Sequence, residues 1–282
     1  MSRVARAVGA ARAVAAAHGL RTDDVRVLHD GANVVVDLAP APVVARVATL
    51  TGRIRPDVRV PFGREVALAT ALTTAGAAVV PPSDLLPPGV HEHDGTVLSF
   101  WQRVDVLPDR PTAQDAGRAL ADLHEVLADL PAPATPPLDT PLDDLAAFAA
   151  RGGEWGVPTD QLDALARRLD RLRPRLVGAN RALHGDPHPG NLLAAPDGWL
   201  WGDLEDTSTG PVEWDLACLR STSRLDGRAA LDAFPGAPTD DQLAPWLELR
   251  RLHAAVWGVV IDAEHPQFGL DGRARLAATL TG

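Results

Sequence analysis

The stretch RALHGDPHPGNLL, residues 181–193, restricts the fold of this chain more than any other part of the sequence. Two prolines and two glycines separate its polar residues, so its centre cannot form a helix. Between two aliphatic ends it carries two histidines, one aspartate and one asparagine. Polar groups on so restricted a loop have fixed positions, which is what a chemical site requires.

The residues after this loop predict a β-hairpin. Residues 191–203, NLLAAPDGWLWGD, run from an aliphatic segment through Pro-Asp-Gly to an alternating Trp-Leu-Trp, which is the pattern of two strands and a tight turn. Asn191 and Asp203 are equally distant in sequence from Asp197 near the tip, so we expect them to lie opposite each other. Asp186 precedes the first strand, and one amide and two carboxylates are therefore predicted to converge.

These oxygen-bearing side chains indicate phosphoryl transfer. Carboxylate and amide oxygens are ligands that magnesium prefers, and magnesium also binds phosphate oxygens. A carboxylate that does not bind the metal can accept a proton from an alcohol. The spacing of His, Asp and Asn in HGDPHPGN, residues 184–191, matches the catalytic loop of kinases, in which Asp orients the hydroxyl and Asn binds a metal.

Composition excludes several other classes of protein. The net charge of -10 argues against a nucleic-acid partner, which requires a basic face. The longest apolar runs are too short to cross a membrane, and a single cysteine excludes an internal disulfide framework and a cysteine-based zinc site. We therefore expect a cytoplasmic protein, either monomer or homodimer. All 27 basic residues are arginine, so any cationic site must use arginine.

The pattern along the chain predicts two domains. Residues 1–104 read as a sheet-rich α+β domain: VRVLH, NVVVDL and PVVARVATL are predicted strands, FGREVALATALTTAG is a helix, and another strand pair surrounds HDG. Residues 105–282 are mostly helical, with a proline-rich connection at PAPATPPLDTPL. The first 20 residues could mimic a transit peptide, but Val4, Val8 and Ala11 share one helix face, so we interpret them as part of the fold.

The combination of HGDPHPGN with WGDLEDTSTGPVEWDLA closely resembles the aminoglycoside phosphotransferase family, which has a protein-kinase-like fold. The resemblance spans nearly the whole chain and implies a two-lobed α+β architecture with a small N-terminal lobe and a larger helical lobe. It implies Asp186 as the catalytic base, Asn191 and Asp203 as magnesium ligands, and His184 and Asp215 as supports of the loop.

The resemblance also implies a site for ATP or GTP with Mg²⁺. Its nucleotide-binding residues would be Arg46, Glu65, Gly31, Ala32, Asn33, Phe100 and Trp101. Arg46 stands where the family has a phosphate-binding lysine, and Glu65 is its expected partner on a helix. A planar guanidinium and a compact ammonium bind phosphates differently, so this replacement is a departure from the family pattern.

The acceptor is predicted to be a small molecule that carries a hydroxyl group and, from the acidic charge and the resemblance, an amine. Acids in the helical half would attract it; the candidates are Glu205, Asp206, Asp262 and Glu264. An aminoglycoside-like acceptor would imply a role in antibiotic resistance.

Two alternatives remain open at this point. Arg46 in place of lysine is compatible with a pseudokinase that binds nucleotide without turnover. His184, Asp186 and His188 could instead ligate the metal of a hydrolase, since His-x-Asp-x-His offers three ligands to zinc or iron.

Overall fold

A computed structural model of the chain describes residues 1–281. Within these residues the chain forms two compact units. Unit 1 comprises residues 1–108 and 193–205, and unit 2 comprises residues 109–192 and 206–282. None of the described helices is both long and apolar enough to cross a membrane.

The secondary structure of the described residues consists of strands and helices with the following bounds. The strands are β1 (Asp24–Asp30), β2 (Asn33–Ala39), β3 (Val43–Ala48), β4 (His91–His93), β5 (Thr96–Gln102), β6 (Arg181–Leu183), β7 (Leu192–Ala195), β8 (Gly198–Trp201) and β9 (Ser208–Gly210). The helices are α1 (Arg3–Ala17), α2 (Thr51–Ile54), α3 (Arg59–Thr74), α4 (Ala113–Asp129), α5 (Asp139–Arg151), α6 (Thr159–Leu172), α7 (Glu213–Arg220), α8 (Gly227–Asp232), α9 (Asp240–Glu264) and α10 (Gly272–Thr281).

Unit 1 is built on a five-stranded antiparallel sheet in the order β1-β2-β3-β5-β4. The inner strands β2, β3 and β5 are buried along most of their length, whereas the edge strands β1 and β4 are exposed or partly buried. Strand β3 is central, and Arg46 pairs there with Val35 of β2 and Ser99 of β5. This register fixes the position of an arginine in the middle of an otherwise apolar strand.

Helix α1 packs on this sheet through its small side chains. The predicted face of Val4, Val8 and Ala11 is the observed one, since Ala11 is fully buried and the two partly buried valines pack against the same core. The fully buried positions include Ala7 and Ala15. These alanines lie on the same helix face as Val4 and Val8, and their small side chains let the helix approach the sheet closely.

The hairpin of β7 and β8 belongs to unit 1. The sequence pattern had predicted a boundary at residue 104, with all later residues in the mostly helical domain. Trp201 accepts a hydrogen bond from Val80 N (2.8 Å) and donates its own N–H to Ala78 O (2.9 Å), and Leu107 N donates to Ala194 O (2.9 Å). These long-range backbone bonds tie the hairpin to the first sheet's unit, and no local pattern could have revealed them.

Unit 2 is mostly helical, with β6 and β9 as an antiparallel pair. Capping boxes fix the starts of α4 and α9, formed by Thr112 with Asp115 and by Thr239 with Gln242. The segment predicted as a proline-rich connection ends inside a helix, since α5 already begins at Asp139. Helices α4, α7 and α9 surround the loop that follows β6, and this arrangement positions the candidate site.

Candidate active site

The loop of residues 184–191, called the HGD loop below, begins directly after β6 and turns sharply at Gly185. Gly185 has φ +95, and a Cβ atom there would lie 2.0 Å from Asp206 O. Only glycine fits both the left-handed conformation and this close approach. The loop then closes on itself, as His188 N donates to Asp186 O (2.8 Å) and Asn191 N donates to His188 O (2.9 Å).

Asp215 on α7 holds the backbone of the HGD loop. Its two carboxylate oxygens accept hydrogen bonds from His184 N and Gly185 N, both at 2.9 Å, and the same carboxylate lies 2.9 Å from Nε2 of His124 on α4. Trp214 adds a bond from its indole N–H to Gly185 O (2.7 Å). Asp215 is completely buried, so the hydrogen bonds that its carboxylate accepts from the HGD loop are needed to stabilise its charge.

Substitution of Asp215 by alanine is expected to lower the free energy of unfolding by about 3 kcal/mol or more. Each buried donor left without its acceptor costs about 1–3 kcal/mol, and Asp215 serves the N–H groups of two residues and the ring of a third. Urea denaturation measures the change, with Asp241→Ala on the exposed start of α9 as the control. An Asp215→Ala variant as stable as the control would contradict this role.

Asp186 lies at the partly exposed side of the HGD loop and has a cationic neighbour. Its Oδ1 is 2.8 Å from Nη2 of Arg250 on α9, and its Oδ2 is 3.7 Å from Nε2 of His188. Burial raises the pKa of Asp186, but the charges of Arg250, His188, His184 and His253 outweigh it and hold that pKa below the usual range. A carboxylate that stays ionised can accept a proton from a hydroxyl group.

Asn191 ends the HGD loop with its side chain turned back onto the loop. Its amide Nδ2 donates to Asp186 O (3.0 Å). Because the amide nitrogen is engaged in this way, Oδ1 is the side-chain atom that can serve as an acceptor or ligand. His184 supports the same turn, since its Nδ1 accepts a bond from Asp186 N (3.3 Å).

In unit 1, Arg46 is surrounded by three carboxylates, which together form the Arg46 cluster. Its guanidinium nitrogens lie 2.7 Å from Glu65 Oε1 on α3, 2.5 Å from Asp203 Oδ1 and 2.9 Å from Glu205 Oε2. Burial lowers the pKa of Arg46, but the three carboxylates raise it by more than burial lowers it, so the arginine stays charged. Burial raises the pKa of Glu65, although Arg46 opposes that shift. Asp203 and Glu205 thus bring carboxylate oxygens, a ligand type that magnesium prefers, next to Arg46.

Asp203 is the most accessible acid of the Arg46 cluster. Its side chain is 44% exposed, compared with 1% for Glu65 and 10% for Glu205. Its backbone adopts φ +58, a conformation that non-glycine residues seldom adopt and that often marks a functional position. Of the three carboxylates, this one can reach a ligand from solvent.

Asn33 connects the loop between β1 and β2 to the same cluster. Its Nδ2 donates to Glu205 Oε2 (2.6 Å), while its Oδ1 accepts from Thr51 Oγ1 (3.0 Å) and Thr49 N (3.3 Å). The Asn33 side chain is buried and makes all these bonds within unit 1. A contact between Asn33 and a phosphate would therefore have to use its backbone.

The structure places the other nucleotide-binding candidates as follows. Gly31 is buried beneath the ring of His29, and Ala32 O accepts bonds from Leu50 N and Thr51 N. Phe100 and Trp101 are buried side chains of β5. The contact of these residues with a nucleotide stays a prediction.

The four acids proposed for the acceptor lie in different surroundings. Glu205 is engaged by Arg46 and Asn33 in unit 1. Asp206 lies in unit 2, where its charge acts on Arg250. Asp262 accepts a bond from Gly272 N (3.4 Å) near the end of α9, and Glu264 is exposed at that end. Three of the four therefore belong to unit 2 and Glu205 to the Arg46 cluster of unit 1, and the contact of any of them with an acceptor stays a prediction.

Sequence reasoning missed several residues that position the site. His124 lies on the buried face of α4 at helical spacing from Leu120 and Leu127, which is the only local signal it gives. Arg250 gives none, because its partner Asp186 is distant in sequence. Among residues 1–281, no group of three or more His, Cys, Asp or Glu side chains is arranged to hold a metal ion.

Comparison with known proteins agrees with this geometry. The model of the phosphotransferase enzyme family matches residues 15–246. Among solved structures, an amicoumacin kinase in complex with AMP-PNP, Ca²⁺ and Ami is 16% identical, with 92% of this chain and 87% of that chain covered and a TM-score of 0.63. A microcompartment-associated aminopropanol kinase is 18% identical, with coverages of 95% and 96% and a TM-score of 0.62.

A third similar structure is the aminoglycoside phosphotransferase APH(3'')-Id from Streptomyces rimosus, which is 17% identical, with coverages of 89% and 98% and a TM-score of 0.63. At these identities the likeness shows the fold, and it confirms the two-lobed, protein-kinase-like α+β architecture predicted from the sequence. The chain belongs to the phosphotransferase enzyme family.

Proposed function

We propose that this protein is a small-molecule kinase that transfers the γ-phosphate of ATP or GTP to a hydroxyl group. The observation that carries the proposal is the partly exposed Asp186 carboxylate, ionised and held on a loop whose backbone is fixed by Asp215. Membership of the phosphotransferase family supports it.

In the proposed reaction, Asp186 orients the acceptor hydroxyl and takes its proton. The alcohol oxygen forms a bond to the γ-phosphorus as the bond from that phosphorus to the β,γ-bridging oxygen breaks, and the nucleoside diphosphate leaves with that electron pair. Asp186 is suited to this step because the charges around it favour the ionised form that must receive the proton.

A magnesium ion fits the donor set that we assign to it. Asp203 offers an exposed carboxylate, and Asn191 offers an amide oxygen whose nitrogen is already bonded; magnesium prefers oxygen ligands of both kinds. When bound, magnesium would neutralise developing charge on the phosphates. Arg46 is proposed to contact the same phosphates, with Glu65 holding its guanidinium.

The acceptor is proposed to be an alcohol that also carries an amine, such as an aminoglycoside or an amino alcohol. Asp206, Asp262 and Glu264 are acids of unit 2 that would attract a cation. The proteins of similar fold include an aminopropanol kinase and an aminoglycoside phosphotransferase.

The test is a panel of kanamycin, 1-amino-2-propanol, choline, glycerol and glucose, assayed for magnesium-dependent ADP release at low and raised salt. We expect turnover of an aminated alcohol, with a Michaelis constant that rises with salt because salt screens the acidic charges. Turnover of neutral alcohols alone, without a salt effect, would reject an aminated acceptor and leave the kinase assignment standing.

A pseudokinase is the second candidate, and one observation favours it. The guanidinium of Arg46 is paired with three carboxylates. To bind a phosphate, Arg46 would have to give up some of these ion pairs. The same assay separates the two functions, because a pseudokinase would bind ATP, as a thermal shift would show, without releasing ADP.

A further inference from the structure

Arg250 is a buried cation that sits directly on the proposed catalytic base. It extends from α9 and brings its Nη2 to 2.8 Å from Asp186 Oδ1, with side-chain exposures of 16% for Arg250 and 22% for Asp186. A guanidinium so poorly hydrated needs an anionic partner. Burial lowers the pKa of Arg250, but the charge of Asp186 opposes this effect and the net shift is upward. Asp206 and Cys218 also act electrostatically on Arg250.

The contact divides the two oxygens of Asp186 between different environments. Oδ1 is occupied by Arg250, whereas Oδ2 lies on the side of His188, 3.7 Å from its Nε2 and beyond hydrogen-bond range. The terminal torsion of an aspartate is broad and does not fix its own carboxylate plane. An ion pair to one oxygen therefore decides which way the other oxygen points.

Helix α9 is a suitable platform for such a partner. It has 25 residues, its start is fixed by a capping box, and it packs against α5, α7 and α10. Groups that are held by rigid helices keep a reactive side chain in place better than groups on loops. The HGD loop alone fixes the backbone of Asp186, and α9 supplies the contact to its side chain.

We propose that Arg250 is a positioning residue for phosphoryl transfer, which holds Oδ1 of Asp186 so that Oδ2 faces the acceptor hydroxyl. The inference rests on the proposed function of Asp186, and it adds a residue from a distant helix to the site. It follows that Arg250 affects the rate of the chemical step more than it affects nucleotide binding.

The experiment compares Arg250→Met, Arg250→Lys and the wild type, with the panel alcohol that the wild type phosphorylates fastest. The matched control is Arg251→Met, since Arg251 is the next residue of α9 and is exposed. We expect Arg250→Met to lower kcat by about 10- to 100-fold, because displacing a reacting group by about 1 Å can cost two orders of magnitude. The KM for ATP should stay unchanged, and Arg250→Lys should recover much of kcat, because lysine keeps a positive charge that can pair with Asp186 Oδ1.

Several results would overturn the proposal. The first is a kcat of Arg250→Met equal to that of the control. The second is a raised acceptor KM in Arg250→Met with an unchanged kcat. The third is an equal loss of kcat in Arg250→Met and Arg250→Lys that follows a fall in their melting temperatures. If Arg250→Met does not fold, Arg250→Gln replaces it with the same expectation. A wild type that turns over no alcohol rejects the proposed function together with this role, whereas an active wild type with an unaffected Arg250→Met rejects the role of Arg250 alone.

Discussion

Replacement of Asp186 by asparagine is expected to lower turnover by about 10²- to 10⁴-fold, which is the usual contribution of general acid–base catalysis. Asparagine keeps the shape of the side chain but cannot accept the proton of the acceptor hydroxyl. The affinity for nucleotide should survive, because Asp186 lies in unit 2 whereas the Arg46 cluster lies in unit 1. Steady-state ADP release and a nucleotide-dependent thermal shift measure the two properties separately.

The control for this variant is Asp122→Asn on the exposed side of α4, which should behave as the wild type. Circular dichroism checks the fold, since the substitution also removes the anionic partner of Arg250. Near-normal turnover of a folded Asp186→Asn variant would remove Asp186 from the role of base.

Replacement of Asp203 by alanine is expected to abolish the magnesium-dependent part of nucleotide binding. Asp203 is the exposed acid of the Arg46 cluster, so its loss removes the carboxylate that can reach a metal, while Glu65 and Glu205 still pair with Arg46. The fold should persist because Arg46 keeps two of its three carboxylate partners. The measurement is the thermal shift produced by a non-hydrolysable ATP analogue with magnesium and with EDTA.

In the wild type, magnesium should enlarge the shift, and in Asp203→Ala the two shifts should coincide. Asp197→Ala, at the exposed tip of the same hairpin, serves as the control and should retain the difference. A persisting magnesium effect in Asp203→Ala would assign the metal to other ligands.

The sequence predicted the parts of the site that are local along the chain. Proline and glycine fix the HGD loop, and the Pro-Asp-Gly turn fixes the hairpin of β7 and β8. The first three strands consist largely of valine and other residues that favour strands, and their observed bounds agree closely with the predicted ones.

The parts that were missed depend on contacts between distant residues. Asn33 pairs with Glu205 and Arg250 pairs with Asp186 across 172 and 64 positions of the chain, and neither pair has a local pattern. The hairpin joins unit 1 through backbone bonds of Trp201, and such bonds carry no side-chain signature. The start of α5 at Asp139 was missed because two prolines directly precede Leu138. Proline disfavours helical conformation in the residue before it, so the whole segment was interpreted as a loop.

The most direct test of the account is to follow the fate of the γ-phosphate by ³¹P nuclear magnetic resonance. Wild-type protein is mixed with ATP, magnesium and the panel alcohol that gives the fastest ADP release. The account predicts a new phosphomonoester resonance that grows in step with ADP and is lost in Asp186→Asn. Growth of inorganic phosphate in step with ADP, without a phosphomonoester, would mean hydrolysis rather than transfer and would contradict it.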